Sequence, residues 1–149
     1  MGRGETQGAR ARGAKRQGAR GLARSVLDAW AVLALLRGEP ARLRVRAAIE
    51  RGAICSWINL GEALYKQARE AGWDRAVQVI DAFAANVTAE PADAEMVRAA
   101  AAIKADGGVS YADCFAIATA ERHRAPLLTG DPEILSLSRP GLKLVDLGA

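Results

Sequence analysis

The sequence predicts an α/β fold with a central parallel sheet of about five strands, and three observations carry that prediction. Short apolar runs alternate with helical repeats along residues 25–149. The runs are apolar almost throughout instead of alternating with polar residues, which is how strands buried on both faces read. Glycines, prolines or acids stand where one kind of segment gives way to the next.

Taken in order, Ser25-Val26-Leu27 is a strand, Asp28 follows it, and residues 29–37 are a helix closed by Gly38-Glu39-Pro40. Residues 41–51 form a second helix, with Leu43, Ala47 and Ala48 on its apolar side and Gly52 at its end. Residues 53–57 are the second strand. Residues 58–71 are helical, with Leu60, Leu64 and Ala68 at i, i+4 and i+8. Asp74 is the expected cap of a helix running to about residue 85, whose inner face is Val77, Ile80 and Phe83 or Ala84. Residues 87–90 are a third strand and 92–105 a helix with Met96, Ala100 and Ile103 inward. Ser110 opens a helix over 111–124 that is apolar nearly all round and therefore buried. Residues 126–129 are the fourth strand, Gly130-Asp131-Pro132 turns into a short helix, and residues 142–147 are the fifth strand. Right-handed crossovers would join them.

Residues 1–24 stand apart, with seven basic residues against one acid and six of the chain's 15 glycines. A disordered tail is expected there. It carries +6, whereas the remaining fourteen bases and sixteen acids give −2, so the pI of 9.5 describes the tail. Such an arm suits phosphate neutralisation, and a start codon placed too far upstream would leave the same sequence. No apolar run approaches the roughly 18 residues that cross a bilayer. Asp28 and the shortness of the run at 29–36 argue against a secretory signal, so a soluble, cytoplasmic protein is expected. Cys55 and Cys114 fit no disulfide framework or Cys/His metal spacing, and read as core residues. His123, the single histidine, reads as a complement to a helix dipole. A zinc site or a Ser-His-Asp triad is thereby disfavoured, and hard oxygen ligands for Mg²⁺ or Mn²⁺ favoured.

Four acids carry the chemistry: Asp28, Glu62, Asp113 and Asp131. Each has a bland explanation. Asp28 and Asp131 can cap helices, the latter with Pro132 at the first helical position; Ser110 to Asp113 resembles a capping box; Glu62 can pair with Lys66 at i+4. All four nevertheless map to the carboxyl edge of one sheet, where parallel α/β folds place their sites. Like charges 4 Å apart repel by about 4 kcal/mol at a dielectric near 20, so such a cluster calls for a cation. Two or three carboxylates holding one or two hard cations can lower the pKa of water and stabilise phosphoryl charge.

These residues resemble a PIN domain, and within that superfamily a VapC-type toxin ribonuclease. The resemblance rests on Val26-Leu27-Asp28-Ala29, on residues 59–64 (Asn-Leu-Gly-Glu-Ala-Leu), on residues 110–120 and on Leu127-Leu128-Thr129-Gly130-Asp131-Pro132-Glu133. It implies a three-layer α/β/α fold, Mg²⁺- or Mn²⁺-dependent endonucleolytic cleavage of RNA, a homodimer and a cognate antitoxin. It also implies that Asp28 and Asp113 are the principal metal ligands, Glu62 a further acidic member and Asp131 a fourth, acting through water. Thr129 would support Asp131, and Asn59 would be a supporting donor. Two departures stand out: Trp30 occupies a position where such proteins often carry Ser or Thr, and the N-terminal extension is atypical. The alternative is a catalytically inactive PIN-like RNA-binding or interaction module. A haloacid-dehalogenase-like phosphatase would need an Asp at position 30, no phosphate-binding glycine loop is present, and a receiver domain leaves the later acids unexplained. Arg42, Arg44, Arg46 and Arg51 read as a solvated helix face or as a phosphate-facing patch.

Overall fold

The computed structural model describes residues 24–149; the expected tail falls almost wholly outside them. Five parallel strands, β1 (Ser25–Leu27), β2 (Ala53–Ser56), β3 (Thr88–Glu90), β4 (Leu127–Thr129) and β5 (Leu144–Asp146), form one sheet in the order β3-β2-β1-β4-β5. Val26 pairs with Ile54 on one side and Leu127 on the other. The chain first builds outward from β1 through β2 to β3, then crosses to β4 and β5. Order therefore reverses between β1 and β4, the place where open α/β sheets form their crevice.

Alternation along each strand splits the core between two faces. Val26, Ile54 and Leu127 face α5 (Ala94–Ala105) and α6 (Tyr111–His123), whereas Leu27, Cys55 and Leu128 face α1 (Ala29–Leu36), α2 (Arg42–Glu50), α3 (Trp57–Ala71) and α4 (Trp73–Ala85). That is a three-layer α/β/α arrangement. The central strands β1, β2 and β4 are wholly buried, and the edge strands β3 and β5 only half so. A short α7 (Pro132–Leu135) follows β4.

Several local expectations are corrected. Trp57 begins α3 instead of ending β2, because the Ser56 hydroxyl accepts the Ile58 amide at 3.1 Å and caps the helix one residue earlier. In α2 the buried stripe is Ala41, Val45 and Ala48, while Leu43 is 60% exposed; both stripes have helical spacing, and packing against α1 and β2 selects between them. Gly72, at φ 86°, precedes α4, so Asp74 lies in the first turn instead of capping it. Asp93 caps α5 through the Met96 amide, which starts that helix at residue 94. His123 ends α6 as expected, and its Nε2 also meets the Glu90 carboxylate at 2.8 Å. Among the described residues no helix is long and apolar enough to cross a membrane.

Candidate metal centre

Asp28 leaves β1 in extended backbone and caps α1, its Oδ1 accepting the Ala31 amide at 2.9 Å. Its other oxygen accepts the Thr129 hydroxyl from the end of the neighbouring β4. Thr129 Oγ1 in turn accepts the Asp131 amide at 3.0 Å, and Asp131 Oδ1 accepts the Glu133 amide at 2.9 Å. One buried hydroxyl thus ties together the two acids at the switch point, so Thr129 supports Asp28 as well as Asp131.

Asp113 sits in the first turn of α6, where the Ser110 hydroxyl accepts its amide at 3.2 Å. The capping geometry is real, yet the side chain is turned into the fold and only 7% of the residue is exposed. Asn59, fully buried on α3, donates from Nδ2 to the Ala112 carbonyl at 3.0 Å. It ties the helix bearing Glu62 to the helix bearing Asp113. Its Oδ1 has no partner. Glu62 pairs with Lys66 at 3.4 Å, so the i+4 pair expected on a solvated face exists and lies on the wall of the site.

Asp28, Glu62, Asp113 and Asp131 all line one cavity of about 340 Å³, joined by Glu39, Arg37, Lys66, Trp30 and Leu33. Glu39, Arg37 and Trp30 were not marked by the sequence as site residues. Trp30 is explained by its partner: a Cβ at Gly130 would fall inside the Trp30 indole, so the glycine after Thr129 makes room for the ring that forms this wall. A small polar residue is missing at position 30, and an apolar floor replaces it.

The electrostatics follow from burial and crowding. Desolvation pushes the Asp28 carboxyl up to about 7; hydrogen bonds from Thr129 and Ala31 oppose this, and the charges of Asp113 and Asp131 add to it. Burial likewise raises Asp113, against its hydrogen bonding to Ser110 and with the help of Asp131 and Glu62. These acids repel one another, and their interaction is what a cation relieves. Burial also pushes both thiols up, Cys55 further aided by Asp28, so neither is a nucleophile.

Among the described residues no group of three or more Asp, Glu, His or Cys side chains stands close enough together to hold a metal ion. The carboxylates instead stand around an open cavity. Hard oxygen donors, no sulfur or imidazole, mutual repulsion and room for water fit Mg²⁺ or Mn²⁺, since Mg²⁺ keeps several waters and uses one or two carboxylates.

A family model for the PIN domain matches residues 25–140. No curated protein sequence matches. Among solved structures the chain is similar to the DNA-bound VapBC of Salmonella typhimurium, with 18% identity, a TM-score of 0.67, and coverage of 84% of this chain and 98% of that one. It is also similar to VapBC2 of Rickettsia felis bound to a DNA fragment from its promoter, with 16% identity, a TM-score of 0.64 and coverage of 83% and 98%. For VapC20 of Mycobacterium tuberculosis, a sarcin-ricin loop cleaving toxin, the values are 16%, 0.57, and 76% and 95%.

Proposed function

Because the chain belongs to the PIN domain family, we propose that it is a Mg²⁺- or Mn²⁺-dependent endoribonuclease and the toxin of a toxin-antitoxin pair. The observation that carries this reading is the convergence of Asp28, Glu62, Asp113 and Asp131 on one cavity at the switch point between β1 and β4. Asp28 and Asp113 would hold the cation, with Glu62 and Asp131 as further acidic members. When bound, such a cation lowers the pKa of water and stabilises charge developing on a phosphoryl oxygen.

The chain's own groups do the positioning. The Ala31 amide and Thr129 hydroxyl fix both oxygens of Asp28, so this carboxylate is oriented before any ligand arrives. Asn59 holds the first turn of α6 and with it Asp113. Asp131, its backbone anchored on Thr129 beside Asp28, would orient water in the cavity. Lys66 brings one cation to the cavity rim, suited to a substrate phosphate. Cleavage would leave a 5′-phosphate and a 3′-hydroxyl.

A cognate antitoxin is the proposed protein partner, supported by structural relatives that are VapBC complexes. An apolar groove of about 390 Å³ between α1, α2 and α4, lined by Leu35, Leu36, Ile49, Val79 and Phe83, offers a surface for it. Trp57, Tyr65, Trp73 and Tyr111, 43 to 61% exposed, leave aromatic surface for the proposed second copy of the chain.

The test is RNA cleavage by the purified chain in EDTA and after adding back Mg²⁺ or Mn²⁺, with the product ends identified. Cleavage only with the cation, leaving 5′-phosphates, is expected. Equal cleavage in EDTA, or 2′,3′-cyclic phosphate ends, would contradict the reading.

A further inference from the structure

Beside α2, from the amino-terminal ends of β1, β4 and β5 along the sheet face to Leu128 and Val145, a second cavity of about 500 Å³ gathers Arg24, Arg44, Arg51 and Lys143. Arg24 and Lys143 immediately precede β1 and β5, and Arg44 and Arg51 lie two turns apart at α2 and its end. A neighbouring hollow of about 640 Å³ shares Pro126 and Lys143 with it and adds Arg124. Of the four arginines from 42 to 51, the structure thus selects two for this face. Arg42 bonds the Gly38 and Glu39 carbonyls, and Arg46 lines the apolar groove.

Five cations stand here with little to neutralise them. The one acid lining either hollow, Glu121, already accepts Arg139 Nε at 2.9 Å. Among the described residues none of the five forms an ion pair; Arg44 has only the Asp146 carbonyl, at 2.8 Å. Arg124 adopts φ 49° and ψ 41° after α6, the left-handed conformation that glycine usually fills, and the chain keeps a charged side chain there. The sequence joined to Arg24 adds six more bases and one acid. Clustered like charges without counter-charge raise local anion concentration.

We propose that this face is an exosite for the phosphate backbone of an RNA strand. The choice of RNA rests on the ribonuclease reading; the anion preference rests on charge and shape alone. Three-residue strands at about 3.3 Å per residue put the two ends of the sheet about 10 Å apart, so a bound strand reaches the exosite only if it extends beyond the acidic cavity. No aromatic side chain lines either hollow. Binding is therefore electrostatic, indifferent to sequence and strongly salt-dependent.

The test is fluorescence anisotropy of a labelled single-stranded RNA with the full chain carrying Asp28→Asn, in EDTA so that nothing is cut, with and without Arg44→Ala, Arg51→Ala and Lys143→Ala together. With about 0.7 in the log–log salt slope per phosphate contact, loss of three should lower the slope by about 2 and affinity by about a hundredfold at 0.1 M salt. Arg124→Gly should also weaken binding without lowering the urea midpoint. Unchanged affinity and slope in the triple variant would overturn the proposal. So would capture of phosphatidylglycerol vesicles by the parent but not the triple variant, with RNA binding equal in both. If the parent binds RNA through this face yet cleaves none with any cation, the exosite stands and only the nuclease reading falls.

Discussion

At pH 8 and without divalent cations, replacing Asp28 by Asn should make the chain more stable. A carboxyl whose ordinary value is 3.8 is held at about 7 in the fold, chiefly by burial. The native state therefore binds the proton more tightly than the unfolded state. Its stability is complete below pH 3.8 and is lost as pH rises through 7. At 1.36 kcal/mol per tenfold change in proton affinity, the penalty at pH 8 is about 4 kcal/mol. Asn keeps the shape and an acceptor for the Ala31 amide and removes the titration, although Thr129 must reorient. A net gain of about 2 kcal/mol at pH 8 is expected after about 1 to 2 kcal/mol for that disturbed hydrogen bond. The assay is urea unfolding of parent and variant in EDTA from pH 4.5 to 8. The variant's advantage should grow with pH. Adding Mg²⁺ at pH 8 should then stabilise the parent far more than the variant, since cation binding favours the ionised form. A difference between the two proteins that does not change with pH would refute the reasoning.

Four further outcomes follow from the same geometry. Thr129→Val removes a donor to Asp28 and an acceptor for the Asp131 amide, so it should lower stability by about 2 kcal/mol and weaken Mn²⁺ binding by about 10- to 100-fold in calorimetry. Gly130→Ala drives a methyl into the Trp30 indole and should cost about 1 to 3 kcal/mol in urea unfolding. Asn59→Ala frees the α3–α6 tie at Ala112; kcat for RNA cleavage should fall while the unfolding free energy drops by only about 1 kcal/mol. Iodoacetamide should label neither Cys55 nor Cys114 in the native chain, because both are buried and burial holds both as thiols.

The buried strands β1, β2 and β4 were legible in the sequence because each is a short, largely apolar run with a Gly, Pro, Ser or acid beside it, whereas the edge strand β3, Thr-Ala-Glu, carries little of that signal. Asp28 and Asp131 were legible as strand-end acids for the same reason. The errors are of one kind. Leu43 and Val45 both satisfy helical spacing, and the choice between them is made by packing against α1 and β2. Trp57 was misplaced because Ser56, one position earlier, caps α3, and Asp74 because Gly72, two positions earlier, stands at the start of α4. Within the cavity, Glu39 and Arg37 come from the turn and helix end after α1 and reach the acids only through folding. The Trp30–Gly130 contact spans a hundred residues of sequence, so no local periodicity announces it. Lys66 was visible only as the i+4 partner of Glu62; that pair and the cavity wall are the same place.

The most direct test of the carboxylate centre is the single-turnover rate of RNA cleavage at saturating Mg²⁺ for the parent, Asp28→Asn and Asp113→Asn, each shown folded by urea unfolding. Cleavage by the parent and its abolition in both variants are expected. Cleavage by either variant at the parental rate would contradict it.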